Sequence, residues 1–300
     1  MVEAVSSAAV STDIRQRTIH VNGVDLVVTE AGDPTGPAVV LSHGFPESAH
    51  SWRYQMKPLA DAGYHVIAPD QRGYGFSSAP RDVESYGIRH LTGDLVALLD
   101  EMGHETATFV GHDWGAFVVW ELGRLHPTRA NAICAVSVPF TNWPAKPTDL
   151  FRMMFGDRFF YMLYFQQVGP AERELEADVR KTMHSLMWAA SGAMFKDEPF
   201  DVSTMPPMEG SGFLDRMTDV PTDLPSWLSQ SDLDHYVAQF ENSGFFGPVS
   251  WYRNLDANFE VMQQYPVSRM TMPTFFIGGD KDMVIARTLD TVDATNGQTP

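Results

Sequence analysis

Apolar and polar positions alternate with period two over residues 18–21 and 24–29, with Asn22-Gly23 between the two runs. This predicts a tight β-hairpin, because a two-residue type I′ turn needs positive φ at both central positions. Short unbroken apolar runs follow at 38–41, 65–69, 106–110 and 132–138. Runs of that length bounded by turn residues read as buried strands. Between them the period lengthens: Leu91, Leu95, Leu98 and Leu99 recur at helical spacing and predict a helix over 88–102. A further helix is predicted after Gly115, running to about Leu125. Strands alternating with helices imply right-handed crossovers and a mostly parallel sheet.

After Pro139 the pattern changes. No buried strand is predicted over 139–265, where helix-like segments appear at 157–167 and 171–189. A Pro- and Gly-rich loop at 204–212 separates them from a capped helix. Ser229 and Asp232 have the spacing of an N-cap pair, and Leu233, Tyr236, Val237 and Phe240 share one face beyond it. The strand pattern returns at 274–278. The expected organisation is a loose tail at 1–14, an α/β core over 15–138, a helical lid over 139–265, and the second, incomplete part of the core over 266–300.

At 300 residues the chain can form one large α/β domain carrying an inserted lid. Its 21 basic against 38 acidic residues give a net charge of −17. Such a surface repels phosphate backbones and anionic membranes, so nucleic acid is not expected as a partner. No stretch approaches the ~18 apolar residues of a membrane span. The first dozen residues lack the basic start and apolar run of a signal peptide. The single cysteine, Cys134, excludes an intramolecular disulfide and fits a reducing compartment, so the cytoplasm is the expected location. Lying in a strand-like run, Cys134 is expected to be a buried small hydrophobe. A homodimer is compatible with these totals. No metal-ligand cluster stands out, and no cofactor is expected.

The chemistry concentrates at Gly111-His112-Asp113-Trp114-Gly115, where a predicted strand runs straight into a predicted helix. G-x-nucleophile-x-G in that setting is a nucleophile elbow. The nucleophile position holds Asp113. A carboxylate with an unperturbed pKa of ~3.9 is already ionised at neutral pH and can displace at saturated carbon without a base. The competing role, a plain helix N-cap, fits Asp113 alone but not its flanking sequence.

Together with that elbow, His43-Gly44-Phe45-Pro46-Glu47-Ser48 resembles the soluble epoxide hydrolases of the α/β-hydrolase superfamily. So do Asp70-Gln71-Arg72-Gly73-Tyr74-Gly75, Tyr161-Met162-Leu163-Tyr164-Phe165-Gln166 and Trp251-Tyr252-Arg253-Asn254. The resemblance extends from about residue 17 to 290. It implies an α/β-hydrolase fold and conversion of an epoxide to a vicinal diol through an ester on Asp113. It further implies an oxyanion hole from the backbone N–H groups of Phe45 and Trp114, with Pro46 bending the loop through a cis bond. Tyr161 and Tyr252 would activate the epoxide oxygen, Tyr164 being the rival for the first of these roles. His43, Pro46, His112 and Tyr164 are expected beside the substrate, neither histidine acting as the base. Asp282, or alternatively Asp280, matches the acid that orients the family's catalytic histidine. No histidine follows Asp282; the last is His235. The resemblance therefore implies that the base, final strand and final helix of the family are missing from these 300 residues, through truncation or genuine loss. Two other readings stay open: a dehalogenase with the same Asp113 attack and Trp114 as halide donor, and a catalytically incomplete ligand-binding protein. Phe, Met, Trp and Tyr are plentiful in the lid segment, so the expected partners are a small lipophilic epoxide and water.

Overall fold

The computed structural model describes residues 14–192, 201–217, 219–266, 269–282 and 284–285. Residues 1–13 of the expected tail and about half of the final core segment lie outside these. Seven strands form one sheet: β1 (Arg15–Val21), β2 (Val24–Ala31), β3 (Ala38–Ser42), β4 (His65–Pro69), β5 (Ala107–His112), β6 (Ala130–Val136) and β7 (Thr274–Ile277). Their spatial order is β1-β2-β4-β3-β5-β6-β7. The hairpin β1–β2 is antiparallel and closes at Asn22 and Gly23, with φ of 50° and 77°. β2 also pairs antiparallel with β4, and every pairing from β4 to β7 is parallel.

The order reverses at β3, which lies between β4 and β5. Loops leaving the carboxyl ends of those three strands meet there, the place where open α/β sheets bind ligands. Helix α1 (Arg53–Asp61) covers one face of the sheet through a compact cluster that includes Val39, Leu41, Met56 and Val66. Helices α2 (Ile88–Glu101) and α3 (Trp114–Leu125) cover the other through a larger core that continues into residues 139–265. In α2, Leu91, Leu95, Leu98 and Leu99 are all buried, as their spacing requires.

Among the described residues between β6 and β7 there are helices α4 (Pro147–Phe155), α5 (Tyr161–Tyr164), α6 (Pro170–Glu176), α7 (Val179–Ala189), α8 (Gln230–Ser243), α9 (Phe246–Arg253) and α10 (Leu255–Met262). Their strand-like pairing is limited to one bridge between Arg158 and Pro207. α8 opens with a capping box: Asp232 N–H donates to Ser229 Oγ, and Ser229 N–H to Asp232 Oδ2, each at 3.1 Å. Two predicted helices differ. The segment 157–167 keeps only the single turn of α5. The helix predicted over 171–189 breaks in two, because the Asp178 carboxylate accepts the Lys181 N–H at 2.9 Å and starts α7 afresh. Cys134 is half-buried, not buried. It pairs with Phe275 of β7, and Phe275 is 63% exposed on that face of the sheet. No described helix is long and apolar enough to cross a membrane.

Candidate active site

The turn from β5 into α3 puts Asp113 at φ 52° and ψ −119°, a region where non-glycine residues are strained. The surrounding glycines make the turn sterically accessible. A Cβ on Gly111 would run into the Gly115 carbonyl, and one on Gly115 into the Ser42 carbonyl. The loop after β3 arrives from the other side with a cis Phe45–Pro46 bond. Phe45 N–H donates to Asp113 Oδ1 at 2.8 Å, and Trp114 N–H donates to the same carboxylate. The two backbone donors expected of an oxyanion hole thus converge on one point.

Glu47 ties the two loops together. Its Oε2 accepts the Gly44 N–H at 2.9 Å and lies 2.8 Å from His112 Nδ1. Burial works against a charge on His112, yet the Glu47 carboxylate, helped by Asp113 and Asp282, pushes its pKa up to about 9. His112 is therefore an imidazolium at neutral pH. Burial raises Asp113 to about 6, against the opposing pull of the His112 cation and the Phe45 and Trp114 N–H groups.

His43 has a different task from the expected substrate contact. It is fully buried, its Nδ1–H donates to the Gly44 carbonyl at 3.0 Å, and its Nε2 accepts the Gln71 N–H at 3.0 Å. Burial lowers its pKa to about 4. His43 is a neutral strut between the loops after β3 and β4. Gln71 and Asp70, which sequence reasoning assigned no role, complete the support. Ser42 Oγ donates to Gln71 Oε1 at 2.7 Å. Asp70 accepts the Ala49 N–H at 2.9 Å and Gln239 Nε2 of α8 at 3.1 Å, and burial pushes it up to about 6. The local signals were their position directly after β4 and their place in the 70–75 motif.

Tyr252, near the end of α9, is buried edge-on against Trp114, with ring centroids 4.9 Å apart, and against Phe45 at 5.7 Å. The Trp114 side chain hydrogen-bonds its phenol. Burial, followed by the nearby Tyr161 and Asp113, raises its pKa well above the ordinary tyrosine value, so it remains a donor. Tyr161 begins α5 and meets Tyr252 edge-to-face at 5.7 Å. Gln166 joins the two segments, its Nε2 donating to the Tyr252 carbonyl at 3.0 Å. Tyr164 differs from expectation: its hydroxyl is spent on Glu174 Oε2 at 2.8 Å. After β7, Asp282 is half-buried; its Oδ1 accepts the Val284 N–H at 2.8 Å, and its charge reaches His112. Asp280 is exposed. Among the described residues no three His, Cys, Asp or Glu side chains are grouped to hold a metal.

A strained carboxylate at a strand-to-helix elbow, facing backbone donors on a neighbouring loop, defines an α/β-hydrolase, and the family model described as alpha/beta hydrolase fold matches residues 37–294. Epoxide hydrolase A of Mycobacterium tuberculosis (strain ATCC 25618 / H37Rv) is 47% identical over 274 residues, covering 91% of this chain and 84% of that protein. Epoxide hydrolase 1 of Siraitia grosvenorii is 39% identical, covering 90% and 82%. The crystal structure of epoxide hydrolase A from Mycobacterium thermoresistibile superposes with a TM-score of 0.83 at 45% identity, covering 89% of this chain and 83% of that one. An epoxide hydrolase from an endophytic Streptomyces superposes with a TM-score of 0.88 at 37% identity, covering 96% and 86%. The chain belongs to the epoxide hydrolase family of the α/β-hydrolases.

Proposed function

We propose that this chain opens epoxides by attack of Asp113. One carboxylate oxygen bonds to a ring carbon, the C–O bond of the ring breaks, and the departing oxygen takes a proton from the phenol of Tyr161 or Tyr252. The product of this step is a hydroxyalkyl ester of Asp113. The observation that carries the reading is the meeting of these groups: Trp114, next to the nucleophile, hydrogen-bonds the phenol of Tyr252, and Tyr161 packs on that same ring. A phenol that stays protonated suits an oxygen leaving group. Residues 139–265 act as the lid, and Phe45, Phe165, Phe213 and Phe245 around the tyrosines favour a lipophilic epoxide. The N–H groups of Phe45 and Trp114 would hold the oxyanion when water attacks the ester. Asp282 would orient a base, and the setting is the cytoplasm.

Neither histidine at the elbow fits that base. The His43 lone pair is taken by Gln71, and His112 is protonated. Ring opening is expected to leave the substrate as an ester on Asp113. Intact mass spectrometry after mixing with styrene oxide should find one substrate mass added, mapping to the peptide that contains Asp113. Asp113→Ala should give none. Epoxide consumption by Asp113→Ala at the unaltered rate would refute the assignment.

A further inference from the structure

Helix α6 carries Glu172, Glu174 and Glu176. At 100° per residue, side chains four apart lie about 40° from each other, and the one between them lies on the opposite side. α6 therefore offers carboxylates in two directions, and each holds a different stretch of the lid. Glu172 is ion-paired with Arg253 at 2.7 Å, directly after Tyr252. Glu176 accepts the Phe245 N–H at 2.8 Å, and Phe245 lies edge-on to Phe45 at 6.4 Å. Glu174 accepts three donors: Phe213 N–H at 3.0 Å, Leu214 N–H at 2.8 Å and the Tyr164 hydroxyl at 2.8 Å.

The Glu174 contacts have a consequence for the tyrosines. Phe213, fixed through its backbone, packs its ring on Tyr161 at 5.7 Å and on Phe165 at 5.0 Å. Tyr164, one turn from Tyr161 and chemically its equal, has its proton committed to the carboxylate. We propose that Glu174 is a positioning residue for ring opening: by fixing Phe213 against Tyr161 and engaging Tyr164, it makes Tyr161 the phenol that pairs with Tyr252. This rests on the ring-opening reading above. A carboxylate suits the task because it only accepts; an amide in its place would turn an N–H₂ group toward at least one of the three donors.

The test is a double-mutant cycle on the rate of Asp113 ester formation from styrene oxide, followed by intact mass, with the full 300-residue chain. Glu174→Gln should slow ester formation roughly tenfold, the size of effect produced by modest misplacement of a reacting group. In a Tyr161→Phe background the same change should cost less than about twofold, because the residue it positions has lost its proton. Tyr164→Phe, which removes only one donor to Glu174, should leave the rate within about threefold. An equal loss in both backgrounds would overturn the proposal, as would no loss in either. Amide hydrogen exchange separates this outcome from a failure of the ring-opening reading. Phe213 and Leu214 should be protected in the unaltered chain and lose protection in Glu174→Gln, whether or not any ester forms. Unprotected amides in the unaltered chain would sink the positioning role by themselves.

Discussion

Replacing Asp113 by Asn should stabilise the fold, and only above the pH at which the aspartate ionises. In the folded chain burial raises this carboxyl from its ordinary 3.8 to about 6. Between those values the folded state holds a proton that the unfolded chain has released. Stability of the unaltered protein therefore falls as pH rises through this window, and the loss is complete above about 6. A difference of roughly two in pKa corresponds to at most about 3 kcal/mol. Asp113 is only half-buried, so water screens part of that cost, and the expected gain for Asp113→Asn at pH 8 is between about 1 and 3 kcal/mol. With a urea m-value near ~3 kcal/mol/M, the midpoint should rise by about 0.3–1 M. His112 is held at about 9 mainly by Glu47, which both proteins keep, so it is charged in each at pH 4 and 6; at pH 8 the loss of the Asp113 charge lowers it in the variant and trims the gap. Urea unfolding followed by circular dichroism at pH 4, 6 and 8 measures the gap. It should be close to zero at pH 4 and largest at pH 8. A variant less stable than its parent at pH 8 would mean that the His112 cation and the two N–H donors outweigh burial. A gap of the same size at pH 4 would mean that ionisation is not its cause.

The same carboxyl predicts that ester formation rises with pH along a limb centred near 6, since only ionised Asp113 attacks; rapid-quench mass spectrometry from pH 5 to 8 measures it, and a flat profile would contradict it. Tyr161→Phe and Tyr252→Phe should each slow ester formation on the order of 10²-fold and the double change further, whereas a double variant acting at the parent rate would make both rings lid packing. Glu47→Gln removes the carboxylate that holds His112 at about 9, so the His112 ring, titrated by NMR, should ionise well below that value; an unmoved titration would assign the shift to some other charge.

What the sequence made legible was local. Asn22-Gly23 carries its own turn geometry, Ser229 and Asp232 satisfy each other three residues apart, and the elbow announces itself in five consecutive residues. What stayed hidden depends on partners far along the chain. α1 was not foreseen, since Pro58 sits within it and only Met56 and Ala60 of its positions are buried. Nor was α10, whose burial depends on packing against α4. The apolar spacing of 171–189 persists through Asp178, so only the cap that this residue makes with Lys181 reveals the break. Choosing between Tyr161 and Tyr164 needs Glu174, which shares a local stretch with them but acts through Phe213, 39 residues further on. Cys134 shows the same limit: an apolar strand is predictable, but how fully each face is covered is not.

His43 and His112 put the argument in its sharpest form. In sequence they look alike, each close to a residue whose backbone N–H reaches Asp113. Among the described residues the fold gives the His43 ring backbone hydrogen-bond partners in a fully buried place, and its pKa falls to about 4. It gives His112 a carboxylate at 2.8 Å, and its pKa rises to about 9. A hydrogen-bonded carboxylate, with two further acids nearby, thus separates two identical side chains by charge state across the whole physiological range. The division also suits the proposed chemistry. A neutral strut under the loop adds no net charge, while a cation beside Asp113 offsets part of the burial that would otherwise keep the nucleophile protonated. Glu47 is the origin of both effects at the elbow, since the same oxygen that charges His112 accepts the Gly44 N–H and holds the loop whose next N–H reaches Asp113.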